Sequence, residues 1–239
     1  LQIGLTEVEA TGALLCLDVT EAVLDEAIAL GHNLVISHHP LIFKGYKSIT
    51  GKDYVERCIL KAIKNDIVIY SAHTNLDNAY GGVNYKIAEK IGLKNLQVLE
   101  PKENSLQDDL MQAGAGIVGE LDEPETELEF LKRIKKTFEV GCVRHNRLTG
   151  REIQKVALCG GAGAFLLPQA IRAGADVFIT GEIKYHDYFG HEGDILMAEI
   201  GHYESEQYTK EIFYSIIRDL FPNFALQSSK INTNPIKYL

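Results

Sequence analysis

The chain has 239 residues, 46% of them hydrophobic and 24% charged, with a formal net charge of −9 and a sequence pI near 5.4. That length buries a substantial core in one large or two small domains; the acidic balance disfavours nucleic acid as a partner, and no apolar run approaches the ~20 residues that cross a bilayer. Cys16, Cys58, Cys142 and Cys159 show no paired spacing, which argues against a disulfide framework and for a reduced, cytoplasmic setting.

Strand and helix patterns alternate along the chain. The opening Leu1-Gln2-Ile3-Gly4 has no methionine, so a preceding segment is expected. Residues 14–17 read as a buried strand and Thr20 as the cap of a helix over 21–30. Val23, Leu24, Ala27 and Ile28 share one face of that helix, and Gly31 stops it. A strand over 34–37 follows, and its loop carries His38-His39-Pro40. The pattern continues as a helix over 54–64, a strand over 67–72 and a helix over 82–91 ending at Gly92. This βαβ grammar predicts a mostly parallel sheet covered by helices. The acidic run 120–129 and the basic run 132–136 read together as an amphipathic helix with a solvated charged face.

The second half begins the pattern again, with a strand over 155–159, a tight Gly160-Gly161-Ala162-Gly163 turn, a helix over 164–173 and a strand over 177–180. Residues 27–37 align with residues 170–180 in the order helix, glycine, polar residue, apolar strand, hydroxyl residue. Glu182 then falls where the first half has His39, which is compatible with an internal duplication. Expected boundaries are an N-terminal α/β lobe over 1–102, a polar junction over 103–112 and a C-terminal α/β lobe over 113–239.

Loops beyond the carboxyl ends of parallel strands are where α/β proteins bind ligands. His38 and His39 follow one such strand, and Asp77 follows the next within His73-Thr74-Asn75-Leu76-Asp77, where Asn75 reads equally well as a turn-former. His202 and Glu206 follow a strand over 196–199, four apart and so on one helical face. Three imidazoles and two carboxylates are enough for two metal ions with shared bridges. The bland alternatives are packed histidines and a solvated ion pair. Glu182, His186 and His191 form a further polar cluster, suited to supporting ligands or to acid–base work, with a plain polar loop the competing reading. The glycine turn lacks the residues of a P-loop, so a tight turn is preferred to a phosphate cradle. Tyr185, Tyr188 and Tyr203 lie near these groups and suit either stacking or packing.

Ser37-His38-His39-Pro40-Leu41-Ile42-Phe43, Ser71-Ala72-His73-Thr74-Asn75-Leu76-Asp77, Thr180-Gly181-Glu182 and Gly201-His202-Tyr203-Glu204-Ser205-Glu206 together closely resemble the NIF-three-like family. That family is also catalogued as GTP cyclohydrolase 1 type 2 homologues. The resemblance implies two similar α/β lobes with mostly parallel or mixed sheets and a dinuclear metal site in the cleft between them. It also implies a toroidal homohexamer built as a trimer of dimers. Carried over, the metal ligands are His38, His39, Asp77, His202 and Glu206, with Asp77 and Glu206 as bridges; for cyclohydrolase-type chemistry, His73, Glu182 or His186 are the candidate proton carriers. Two divalent ions of Zn, Fe, Mn or Ni suit such a donor set better than Mg or Ca. The catalogue name suggests hydrolysis of a nucleotide or purine ring. The competing expectation is a metal-binding regulatory or adaptor protein on a hexameric ring. Longer family members carry a PII-like domain at the lobe junction, so 103–112 reads either as the junction of a short member or, preferred, as the site of a missing insert.

Overall fold

Local capping and glycine signals set the first elements. In the computed structural model, which describes residues 1–102, 113–191 and 193–239, β1 (Ala13–Cys16) leads into α1 (Glu21–Leu30). Thr20 accepts the Val23 N–H at 3.3 Å, and Gly31 closes the helix in the left-handed region at φ 69°. β2 (Leu34–Ser37), α2 (Tyr54–Lys64) and β3 (Val68–Ser71) follow, with Asp53 capping α2 through the Glu56 N–H at 2.9 Å. The chain returns to this unit near its end through α8 (Thr209–Leu220) and β10 (Leu226–Ser228).

These segments form one compact unit, Leu1–Thr74 with Thr209–Pro235. Its sheet has the order β10-β1-β2-β3, parallel throughout. Val23, Leu24 and Ala27 of α1 and Cys58, Ile59 and Ala62 of α2 bury against Leu14, Val35 and Ile69. Each large apolar side chain fully removed from water there contributes roughly 1.5–3 kcal/mol. On β1 and β10 lies α8.

The second unit comprises Asn75–Tyr208 with Ile236–Leu239. The chain enters it through α3 (Thr74–Asp77) and α4 (Val83–Ile91), then β4 (Lys94–Pro101), β5 (Gly114–Thr126) and α5 (Glu127–Thr137). β6 (Arg144–His145), β7 (Glu152–Cys159), α6 (Leu167–Arg172), β8 (Val177–Thr180), β9 (Leu196–Glu199) and α7 (His202–Glu206) complete it. Its sheet is mixed, in the order β4-β5-β7-β8-β9-β6: β7, β8 and β9 are parallel, and β4, β5 and β6 pair antiparallel. Val118, Ala157, Phe178 and Met197 pack with Leu166, Leu167 and Ala170 on one face.

The fold is therefore α/β with one parallel and one mixed sheet. Two details depart from the sequence reading. The acidic run expected to be helical is strand as far as Thr126, and the helix begins only at Glu127, where Thr126 and Glu129 form a reciprocal capping box. The expected helix over 164–173 is a 3₁₀ turn, Ala164–Leu166, followed by a short α-helix that starts next to Pro168. By contacts the units are Leu1–Thr74 with Thr209–Pro235 and Asn75–Tyr208 with Ile236–Leu239, and the pairing of β10 with β1 holds the C-terminal segment in the first. Residues 103–112, where the insert was expected, lie outside the described residues. No helix among the described residues is long and apolar enough to cross a membrane.

Candidate metal centre

In the first unit, the ends of β1, β2 and β3 stand in register, with Cys16 beside Ser37 and Ser37 beside Ser71. The residues just beyond this row carry the chemistry. His38 is fully buried, and its Nδ1 lies 2.9 Å from the Ala72 carbonyl oxygen. A carbonyl only accepts, so Nδ1 carries a proton, and in the neutral ring Nε2 is the nitrogen with the lone pair. His39 follows the same rule, its Nδ1 donating to Asp18 Oδ1 at 2.7 Å while the other Asp18 oxygen accepts from Thr233 Oγ1 at 2.5 Å. Pro40 turns the chain after the pair. Ser37 Oγ donates to the His39 carbonyl at 2.8 Å and fixes the loop.

His73 completes a cluster. Its ring centroid stands 5.4 Å from that of His38 and 5.5 Å from that of His39, and Phe43 packs edge-on against it at 5.8 Å. One nitrogen from each of His38, His39 and His73 lies within 4.8 Å of the others, a spacing that can hold a metal ion.

In the second unit, β7, β8 and β9 end in an equivalent row, Cys159–Thr180–Glu199. His202 and Glu206 open and close α7, with Nε2 to Oε2 at 3.1 Å, and Glu182 accepts from His202 Nδ1 at 2.8 Å. The Glu206 carboxylate raises the His202 pKa above its ordinary value, opposed by burial and aided by Glu182. The pair therefore calls for a positive charge at Nε2, which a proton or a metal ion can supply.

Asp77 closes α3, and its backbone carbonyl accepts from Asn84 at 3.0 Å. Asp77 Oδ1 and Glu206 Oε2 are each screened from solvent. Burial pushes the Cys159 thiol up to about 12, with Asp77 and Glu206 adding to the rise, which disfavours the thiolate at neutral pH.

The glycine turn is spoken for. Gly160 N donates to Asn84, Gly161 N to Ser205 and Gly163 N to Thr180, at 2.9–3.0 Å, which favours the tight turn over a phosphate cradle. Gly161 has φ 59°, and a Cβ there would collide with the Glu206 carboxylate. A groove of about 540 Å³ beside it is lined by Glu182, His186 and His191 with Lys184, Phe165 and Phe189.

Sequence reasoning missed Asp18 and Thr233. They lie 215 residues apart, and only the alignment of β1 with the C-terminal segment brings them together. The one local hint was an acidic residue two positions beyond a strand end.

A sequence model of the Duf34/NIF3 (NGG1p interacting factor 3) family matches residues 1–235. A Lactococcus lactis protein described as a GTP cyclohydrolase 1 type 2 homolog is 34% identical, over 98% of this chain and 88% of its own length. One of the same description from Clostridium perfringens is 37% identical over 86% and 77%. Among solved structures, a hypothetical protein of Staphylococcus aureus superposes with a TM-score of 0.89 at 33% identity, covering 99% of this chain and 90% of that one. A Bacillus cereus protein related to NIF3 gives 0.88 at 26%, covering 100% and 92%.

Proposed function

Because the chain belongs to the Duf34/NIF3 family, we propose that it is a dinuclear metal-dependent hydrolase acting on a nucleotide or purine ring. His38, His39, Asp77, His202 and Glu206 would be the ligands, with Asp77 and Glu206 as bridging carboxylates. The observation that carries this reading is the orientation of three histidines. His38, His39 and His202 each have Nδ1 against an oxygen acceptor, which leaves Nε2 as the nitrogen each ring would offer a metal, that of His202 beside Glu206.

Imidazole nitrogens with carboxylate oxygens suit Zn, Fe, Mn or Ni. When bound, two such ions supply an activated water near neutral pH and stabilise a developing oxyanion. The chain's own residues do the rest. Asp18 and Glu182 hold the His39 and His202 rings in their donor orientation. His73, beside the two histidines of the first unit, and His186, in the groove with Glu182, are assigned to proton transfer. The hydrolysed ring follows from the description of the relatives as GTP cyclohydrolase 1 type 2 homologues. The homohexameric ring and the cytoplasmic setting implied by the resemblance belong to the same proposal.

Metal analysis of purified protein by inductively coupled plasma mass spectrometry, wild type beside Asp77→Ala, tests it. The expected result is about two ions per chain in the wild type and loss in the variant, followed by nucleotide hydrolysis that the variant lacks. Wild-type protein that stays metal-free after reconstitution would sink the hydrolase. A second reading, a metal-binding adaptor, is favoured by the family description as an interacting factor. It gains if the metal is bound and no nucleotide is turned over.

A further inference from the structure

The second unit carries a groove on its β6 edge that no part of the hydrolase reading uses. It measures about 560 Å³, within the range of small-molecule sites, and Arg144, His145, Arg147, Tyr185, Tyr188 and Phe189 provide most of its lining. No carboxylate lines it among the described residues. In a chain of net charge −9, two guanidiniums and three aromatic rings around one cavity make a local exception.

Its frame is fixed from below. Asn146 is held to the sheet on both sides of its amide, donating to the Ile195 carbonyl at 3.0 Å and accepting from Met197 N at 2.9 Å. Glu199 pairs with Arg144 at 2.9 Å and accepts from Tyr188 OH at 3.2 Å, which sets the guanidinium against the Tyr188 ring at 5.8 Å from its centroid. Arg147 is different. It is exposed and makes no ion pair among the described residues, so its whole fork is available. Tyr185 and Phe189, 5.4 Å apart between centroids, leave 69% and 56% of their surface in water.

We propose that this groove binds a nucleoside phosphate, with the phosphates on Arg147 and Arg144 and the base against Tyr185 and Phe189. A guanidinium fork matches phosphate oxygens in pairs. An aromatic face left in water gains by stacking on a base, whichever base it is. The same chemistry is found in a free nucleotide and in a single strand, and the acidic balance of the chain favours the free nucleotide. Occupancy does not depend on the metal reading, because none of the lining residues is a proposed ligand.

Isothermal titration of the full chain, with and without EDTA, tests this using GTP, ATP, guanosine, inorganic triphosphate and an oligothymidylate strand. GTP and ATP should bind saturably in both conditions, and guanosine and triphosphate each more weakly. Arg147→Ala should weaken GTP about tenfold or more, with part of the loss recovered in Arg147→Lys. Tyr185→Ala should cost about five- to tenfold. Both side chains are exposed, so neither change threatens the fold. The proposal is overturned if GTP does not saturate at millimolar concentration, or if both variants bind it like wild type. It is also overturned if only the oligonucleotide binds, or if the variants alter only the oligomeric state. Nucleotide binding that survives EDTA without hydrolysis would support the groove while leaving the hydrolase unsupported.

Discussion

The two units share one backbone frame and use it differently. Each has three parallel strands in sequential order, β1-β2-β3 and β7-β8-β9, whose ends align as Cys16–Ser37–Ser71 and Cys159–Thr180–Glu199. The helix preceding the middle strand ends in both cases before a left-handed glycine, Gly31 at φ 69° and Gly174 at φ 68°. Beyond the row, the first unit places histidines and backs one of them with a carboxylate, Asp18. The second places glycines at 161 and 181, which let the chain pass close to α7, and backs its histidine with Glu182. The frame fixes where a ligand can stand. The loop residues decide whether it is an imidazole or the room for one.

The largest test of that comparison removes the two backing carboxylates. Asp18→Ala and Glu182→Ala should each weaken metal binding, within the roughly 10- to 100-fold range typical of such outer partners. Asp18 should sit at the upper end. Its side chain is 35% exposed against 58% for Glu182, and its His39 partner is 14% exposed against 31% for His202, so water replaces the second contact more readily. Competition titration with a chromophoric chelator reads both. Equal losses would mean that burial does not set the value of the backing bond, and an intact Asp18→Ala would remove the Thr233–Asp18–His39 chain from the site.

A second pair of equivalent groups holds the loops on either side. Glu56, at the start of α2, accepts from Thr50 N and Lys52 N at 2.8 and 3.1 Å. Glu127, at the start of α5, accepts from Thr149 N and Gly150 N at 2.8 and 2.9 Å. For Glu56, the Thr50 N–H is the largest influence. With the Lys52 contacts, and against the cost of burial, it holds the carboxyl down at about 2. A depressed carboxyl contributes stability that is complete above its unfolded value, near 4.5, and is lost as pH falls towards 2. Glu56→Gln should therefore lower the melting temperature at neutral pH and flatten its decline between those values. Glu127→Gln should cost about 1–3 kcal/mol through the N–H groups it leaves poorly paired. Thermal unfolding across pH separates the two, and an unchanged acid decline in Glu56→Gln would remove its assignment.

The first three strands and two helices of the first unit were legible because each carries its own signal: Thr20 and Gly31 around α1, Pro40 after the histidines, and short apolar runs for parallel strands. The four-residue spacing of His202 and Glu206 likewise needed only a helix start. The antiparallel half of the second sheet was not legible. β5 carries acids from Glu120 to Glu125 on a partly solvated stretch, and charge clustered beside a basic run imitates a helix until the pairing with β7 is seen. Asp18 and Thr233 were hidden for another reason. Their contact depends on β10 joining β1 across most of the chain, which no local pattern encodes.

The smallest effect concerns the cysteines at the two row ends. Cys16 and Cys159 occupy matching positions, and burial raises both thiols well above their ordinary range, with Asp18 adding to the first and Asp77 to the second. Cys58 is pushed up to about 11, again chiefly by burial. Cys142 alone of the four free cysteines is exposed. A thiolate is the reacting species, and access limits the rest. A disulfide reagent at pH 8 should therefore label one thiol per native chain quickly and three only on unfolding, with Cys142→Ser abolishing the fast phase and leaving metal content unchanged. Fast labelling at Cys159 but not at Cys16 would mean that the second unit opens at its row end while the first stays closed. The two frames would then match in geometry and differ in stability, which would trace to the glycines that make room for α7.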